Sequence, residues 1–284
     1  MQKLPIGIQS FAVLRDENYL YVDKTELIHE LSNVAKFVFL ARPRRFGKSL
    51  LTTTLQEMFR GNRALFHGLW IEDKIDWQPR PVLLINFNDL DYRSQSLEVA
   101  LTKYMDELAE RHGVVLKAIQ GKDKFRELIV SLSTEHKVVL LVDEYDKPIT
   151  DLLEDEEKAQ EHVATLKNFY SVLKSTDADH LHFTLLTGVS KYGKISVFSD
   201  LNNLLDVTLD RRFATLLGYT QTELEHYFSE YIDRLAETYG MNRPEMLAEI
   251  ARWYNGYSWD GVRTVYVPFS TLVFLEQQTF ANHW

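Results

Sequence analysis

The sequence predicts an α/β fold, with a mainly parallel five-stranded sheet flanked by helices and a small C-terminal α-rich subdomain after it. Three observations lead there. Short apolar runs alternate with segments of helical periodicity, which is the pattern of strands buried in a helix-covered parallel sheet. The first of these runs passes straight into a glycine-containing loop, "RPRRFGKS" at 42–49, which opens a helix. After about residue 212 the strand-like runs give way to helical segments with aromatic faces.

The elements follow in order. "KFVFLA" (36–41) reads as the first buried strand, and Leu51, Leu55, Met58 and Phe59 then recur at helical spacing up to Gly61. "RPVLLINF" (80–87) is the second strand, followed by a helix marked by Leu97, Leu101, Tyr104, Met105 and Leu108. "KVVLLVDEYDKP" (137–148) carries the third, ended by acids and Pro148. The acidic run 151–161 reads as a solvated face or mobile loop, with a helix around 163–174. "LHFTLLTG" (181–188) is the fourth strand and "LLDVTL" (204–209) the fifth. Beyond it, Thr220 and Glu223 form a capping box for a helix carrying Leu224, Tyr227, Phe228, Tyr231, Ile232 and Leu235. Asn242 and Pro244 open another, stopped at Asn255-Gly256. A short strand at 263–269 and a helix over "STLVFLEQQ" complete the chain. This divides residues 1–212, a core with a lead-in segment, from residues 213–284, a helical subdomain for which a winged-helix-like form is one arrangement.

Composition narrows the function classes. The 284 residues carry 45% hydrophobic content, enough for one large domain or two small ones. A net charge of −9 gives no general basic footprint for nucleic acid, so any DNA contact has to come from a local patch. The absence of cysteine excludes disulfides and cysteine-ligated metal sites. The N-terminus lacks an apolar leader and no stretch reaches membrane-span length, so the expectation is a cytoplasmic protein without membrane contact.

Two loops compete as a phosphate cradle. The usual pattern G-x-x-x-x-G-K-[ST] wraps phosphates in backbone N–H groups, and its lysine reaches the terminal ones. "RPRRFGKS" has Gly47, Lys48 and Ser49 in place but Arg42 at the first glycine, whereas "GVSKYGKIS" has Gly188, Gly193 and Lys194 but then Ile195. The residue after the lysine must offer a hydroxyl to magnesium, and the loop must open a helix whose N-terminal amides attract phosphate. Ser49 and the helical pattern after it meet both needs, so the first loop is preferred. Pro43 pushes Arg42 toward an extended conformation, so the loop turns differently at its entry, with Arg42, Arg44 or Arg45 adding charge near the phosphates. The third strand ends in Asp143-Glu144, supplying one acid for a magnesium shell and a second to polarise water. This is the layout of P-loop NTPases with an added strand. There the fourth strand lies between those carrying the two motifs, and its tip, with Thr187 and Ser190, faces the γ-phosphate as a sensor.

"LPIGIQSF", "YLYVDKTELI", "RPRRFGKSLL", "LVDEYDKPI", "TGVSKYGKISVFSDLNNLLDVTL", "LGYTQTELE" and "WYNGYSWDG" followed by "VYVPFS" together resemble the bacterial AAA-ATPase-like family, from about Leu4 to Trp284. In that family the loop typically reads R-P-R-R-F-G-K-S, so the missing glycine is a shared variant of the Walker A motif. The resemblance implies ATP and Mg2+ as cofactors. Arg44, Arg45, Phe46, Gly47, Lys48, Ser49 and Leu50 would form the nucleotide loop, and Ser49 and Asp143 the metal pair. Lys48 and Glu144 carry over as catalytic groups, with Ser190 or Lys191 as sensor. Members often continue into a restriction-endonuclease-like nuclease domain. This chain stops at "ANHW", near where that domain would begin, so no nuclease activity is carried over. A weaker likeness links "PRRFGKS" to STAND-type signalling ATPases.

The expected activity is magnesium-dependent ATP hydrolysis that drives or regulates a protein partner or nuclease module. The alternatives are a STAND-like nucleotide switch with little turnover, and a DNA-binding regulator using the C-terminal subdomain. Other constellations have plainer readings. His180 and His182 lack further metal ligands, and Ser190 beside Lys191 suits a sensor better than a nucleophile pair. "RWYNGYSWD" suits an aromatic core more than base stacking. Asp23 and Lys24 suit capping of a helix from Thr25. Arg211 and Arg212 fit either an arginine finger in a homo-oligomer or a surface salt bridge.

Overall fold

The computed structural model describes residues 1–152, 154–189, 197–198, 201 and 203–283. Strands β1 (Phe37–Ala41), β2 (Val82–Asn86), β3 (Val138–Asp143), β4 (Leu181–Gly188) and β5 (Leu204–Asp206) form a sheet in the order β2-β3-β4-β1-β5. Every neighbouring pair is parallel, and β4 lies between the strands that carry the two motifs. In the register Ala41 faces Gly188 and Asn86 faces Asp143, so the strand tips end at one edge of the sheet. That edge is where an open α/β sheet binds ligands.

Alternation along each strand divides the core into two layers. Phe37 and Phe39 of β1, Leu140 and Val142 of β3, and Leu186 of β4 face one side. There they pack under α4 (Leu97–Arg111), α5 (Gly121–Leu132), α7 (Glu156–Tyr170) and α8 (Val172–His180). Val38, Leu40, Val139, Leu141 and Leu185 face the other side, against Leu51, Leu55 and Met58 of α3 (Lys48–Phe59) and Phe11 of α1 (Phe11–Asp16). Each fully buried residue of this kind contributes about 1.5–3 kcal/mol. Helix α2 (Thr25–Val34) adds Ile28 and Leu31 to the second layer, and the single turn α6 (Lys147–Thr150) adds Ile149 to the first.

The C-terminal region consists of α9 (Gln221–Tyr227), α10 (Ser229–Tyr239), α11 (Arg243–Tyr254), a two-stranded ribbon of β6 (Tyr257–Ser258) and β7 (Thr264–Val265), and α12 (Pro268–Gln277). The expected capping box forms at Thr220–Glu223, and a second one is present at Asn242–Glu245. The helical core here includes Leu4, Leu20 and Val22 from the start of the chain, while Phe213, Leu216, Leu217, Val265 and Val267 join the layer under the sheet. The two ends of the chain are therefore packed into each other's cores.

Several elements differ from the expectations. The single helix expected after Thr220 is two, divided at Phe228. The acidic run supplies the first turns of α7, capped by Asp155, whose side chain accepts from Lys158 N. The helix expected over 163–174 is α7 and α8 meeting at Ser171. Helix α5 was not anticipated, although Phe125, Leu128 and Ile129 give it a buried stripe.

Candidate nucleotide site

The loop between β1 and α3 is built by local backbone geometry. Arg42 N donates to Gly188 O at 3.1 Å, which fixes the exit of β1 to the tip of β4. Arg45 (φ 69°) and Gly47 (φ 89°) then both adopt left-handed conformations, turning the chain back into the helix. A Cβ on Gly47 would meet nothing within 4 Å, so glycine is required there for its backbone angle and not for space. Helix α3 begins at Lys48, and its first amides have no partner within the helix, giving the loop a partial positive charge.

Lys48 is buried, and its Nζ donates to Arg42 O and Pro43 O, both at 3.0 Å. Burial lowers its pKa, while the carboxylates of Asp143, Glu144 and Asp146 act in the opposite direction. Ser49 Oγ donates to Asp143 Oδ2 at 2.6 Å, and Thr187 Oγ1 donates to Asp143 Oδ1 at the same distance. The start of α3 and the tips of β3 and β4 thus converge on one buried carboxylate. Glu144 follows in a left-handed conformation (φ 55°), with its N–H toward Thr187 Oγ1 at 3.4 Å. Glu144 lines a cleft that Asp143 does not line. Asp146 accepts from Val189 N and holds the end of β4. A Cβ on Gly188 would lie 2.5 Å from the Tyr145 ring, so this second glycine is required by close approach.

The cleft has a volume of about 390 Å³. Arg44, Arg45, Gly47, Lys48, Ser49, Leu50 and Glu144 line it on the loop side, and residues of the lead-in segment and of α12 on the other. Ser49 and Asp143 offer hard oxygen donors of the kind magnesium takes from proteins, which is usually one or two ligands with the remainder from water and phosphate. Two loop residues behave otherwise than expected. Phe46 is buried, its ring edge-on to Tyr257 and Trp259, so it anchors the loop from behind. Arg42 adds no charge to the cleft. Its guanidinium is buried behind the loop, donating to Ala41 O, Thr208 O and Phe213 O, with Trp259 4.2 Å away. That desolvation lowers its pKa to about 10. Ser190, Lys191, Gly193 and Lys194 lie outside the described residues.

The other constellations resolve into structure. Asp23 Oδ1 accepts from Thr25 N at the start of α2, and Lys24 pairs with Glu223 at 2.6 Å. His180 meets Ser133, and His182 lies edge-on to Phe59. Among the described residues no His, Asp and Glu side chains gather as a metal-holding group of three. Arg212 pairs with Asp210 at 2.7 Å. Tyr254 stacks with Phe274 and Phe280 in the C-terminal core, whereas Tyr257 and Trp259 serve the loop instead. Sequence reasoning missed the far wall of the cleft, because a short apolar segment such as residues 5–9 carries no local sign of what it faces.

A parallel sheet with β4 inserted between the strands of a lysine–serine loop and an acidic tip defines the P-loop NTPase class. The chain belongs to the family described as "Predicted AAA-ATPase", whose model matches residues 5–198. It is 43% identical over 288 positions to a protein of Azotobacter chroococcum mcd 1 described as "Uncharacterized protein in vnfD 5'region". That match covers 100% of this chain and 54% of the relative, so the chain spans about half the length of the curated relative it matches. A solved structure described as the Walker-type ATPase PABY2304 of Pyrococcus abyssi aligns over 94% of this chain and 70% of that one. The two share 13% identity, with a TM-score of 0.43. Among the described residues no helix is long and apolar enough to cross a membrane.

Proposed function

We propose that the chain is a magnesium-dependent ATPase that cleaves the β–γ phosphoanhydride bond by attack of water. The observation that carries this reading is the 2.6 Å contact of Ser49 with Asp143, which joins the helix-opening loop to the acidic strand tip. In this reading Lys48 and the amides of the loop hold the phosphates, and Arg44 and Arg45 add charge at the rim. Ser49 and Asp143 hold the ion, which when bound would neutralise charge on the phosphate oxygens. Glu144, the next residue along and in the cleft, accepts a proton from the attacking water and orients it. Thr187 holds Asp143 in place, and the family resemblance makes Ser190 the sensor. The activity serves a protein partner or nuclease module.

Phosphate release from the purified chain, with and without magnesium, with and without DNA, tests this. Sustained magnesium-dependent turnover is expected. A single slow burst would replace the ATPase with a nucleotide switch, and activity that appears only with DNA would make DNA a partner.

A further inference from the structure

Arg45 stands exposed in the phosphate loop, and its charge meets only neutral partners. One is the carbonyl oxygen of His283, which accepts from the guanidinium at 3.0 Å. The other is the Phe269 ring, 4.4 Å away. Both belong to the C-terminal region, and among the described residues no carboxylate pairs with Arg45. The segment that supplies His283 leaves α12 and runs back along the ends of α10 and α11. Tyr239 Oη donates to Gln278 O at 2.8 Å, and Tyr254 Oη donates to Ala281 O at 3.1 Å and accepts from Ala281 N at 3.3 Å. Phe280 stacks on Phe274 with ring centres 4.3 Å apart. The tail is thus anchored at Phe280 and Ala281, and a hydrogen bond from Arg45 ties its last described residue to the phosphate loop.

A phosphate chain entering the cleft competes for that guanidinium. Arginine meets phosphate with two parallel N–H groups and a full opposite charge, where a carbonyl offers one acceptor and a partial charge. We propose that Arg45 is a latch between the phosphate loop and the C-terminal tail, holding His283 until a phosphate chain takes its place. Binding then loosens the tail beyond Ala281. The coupling is reciprocal, so whatever loosens the tail frees Arg45 and tightens phosphate binding. The inference rests on the ATPase reading for the presence of a phosphate ligand, and adds where its arrival is felt.

The test uses magnesium–tripolyphosphate, which carries the phosphate chain alone. On the full chain, amide exchange at Ala281 would be followed with and without saturating ligand. Exchange should quicken about 5-fold, the lower end of typical couplings, because the Arg45 contact is exposed. In Arg45→Ala it should be fast from the start and indifferent to ligand. Tyr254→Phe approaches from the other side, removing the hydroxyl that pins Ala281 while keeping the ring in its core. Calorimetry should show tripolyphosphate binding about 2-fold to 5-fold tighter than in the parent. The same change made on top of Arg45→Ala should give no gain. Exchange in the parent that stays unchanged or slows on binding, or an equal gain without Arg45, would overturn the latch and leave the ATPase reading standing. A parent chain that binds neither tripolyphosphate nor magnesium–ATP would overturn that reading, and the latch with it.

Discussion

The front and back halves of the phosphate loop are adjacent in sequence and differ in how they are held. In the front half Arg42 and Phe46 are buried, facing carbonyls of Thr208 and Phe213 and the rings of Tyr257 and Trp259, while Arg44 and Arg45 between them are exposed and line the cleft. Residues 47–50 line the open cleft and carry the groups suited to phosphate and metal. In the usual loop a glycine makes the first turn by backbone freedom alone. Here a long charged side chain makes it, reaching to the segment after β5 and replacing flexibility with hydrogen bonds. A loop can therefore lose its first glycine if the fold supplies a tether.

The largest test of that contrast is Arg42→Gly, which gives the loop the glycine of the usual pattern. The carbonyls of Ala41, Thr208 and Phe213 lose their donor, and an unpaired buried polar group costs about 1–3 kcal/mol. Urea denaturation should show a loss of about 3 kcal/mol or more. Unchanged stability with abolished ATP binding would make the front half a ligand handle and end the contrast.

Lys48→Ala tests the back half from the opposite side. Its two loop carbonyls can turn to water in the cleft, so stability without ligand should change little. Saturating ATP, at about 100 times its dissociation constant, should stabilise the parent by about 2.7 kcal/mol and the variant hardly at all. An equal thermal shift in both would remove Lys48 from the phosphate site.

Glu144→Gln sharpens the division within the site. Loss of a group acting mainly in the transition state lowers turnover and spares binding. Phosphate release should fall by about 100-fold or more, with ATP affinity within a few-fold of the parent. More than half the parental rate would exclude Glu144 and direct attention to Asp146. The smallest expected effect comes from Glu144→Gly. The left-handed backbone costs an L-residue about 1–2 kcal/mol, of which glycine's greater unfolded-state entropy cancels about half. A gain of about 0.5 kcal/mol in urea, alongside lost turnover, would show strain kept for function. A loss of stability would mean that the side chain contributes more than its conformation costs.

What the sequence disclosed follows from the range of the forces involved. Strand β4 matches the apolar run 181–188 residue for residue, and the expected capping box at Thr220–Glu223 forms, because strand alternation and caps are written within a few neighbouring positions. The meeting of Ser49 with Asp143 was also legible, since each stands at the end of its own element and a parallel sheet brings such ends to one edge. Arg42 and Phe46 were misplaced because their partners lie far along the chain, at Thr208, Phe213, Tyr257 and Trp259. Proximity to the motif suggested a ligand, and packing decided otherwise. The break at Phe228 was hidden for the related reason that its apolar spacing runs unbroken through the bend. Leu4, Leu20 and Val22 carry no sign of their partners in the C-terminal helices, because apolar side chains specify burial but not address.

The two hydrogen bonds from Lys48 to Arg42 O and Pro43 O also bear on kinetics. The lysine already closes the loop upon itself, so the cradle has its shape before any phosphate arrives. On the proposed reading, entry of a nucleotide is an exchange of partners at one ammonium group and not the ordering of a floppy segment. The on-rate should then carry little entropic penalty, and its temperature dependence should report the breaking of those two contacts.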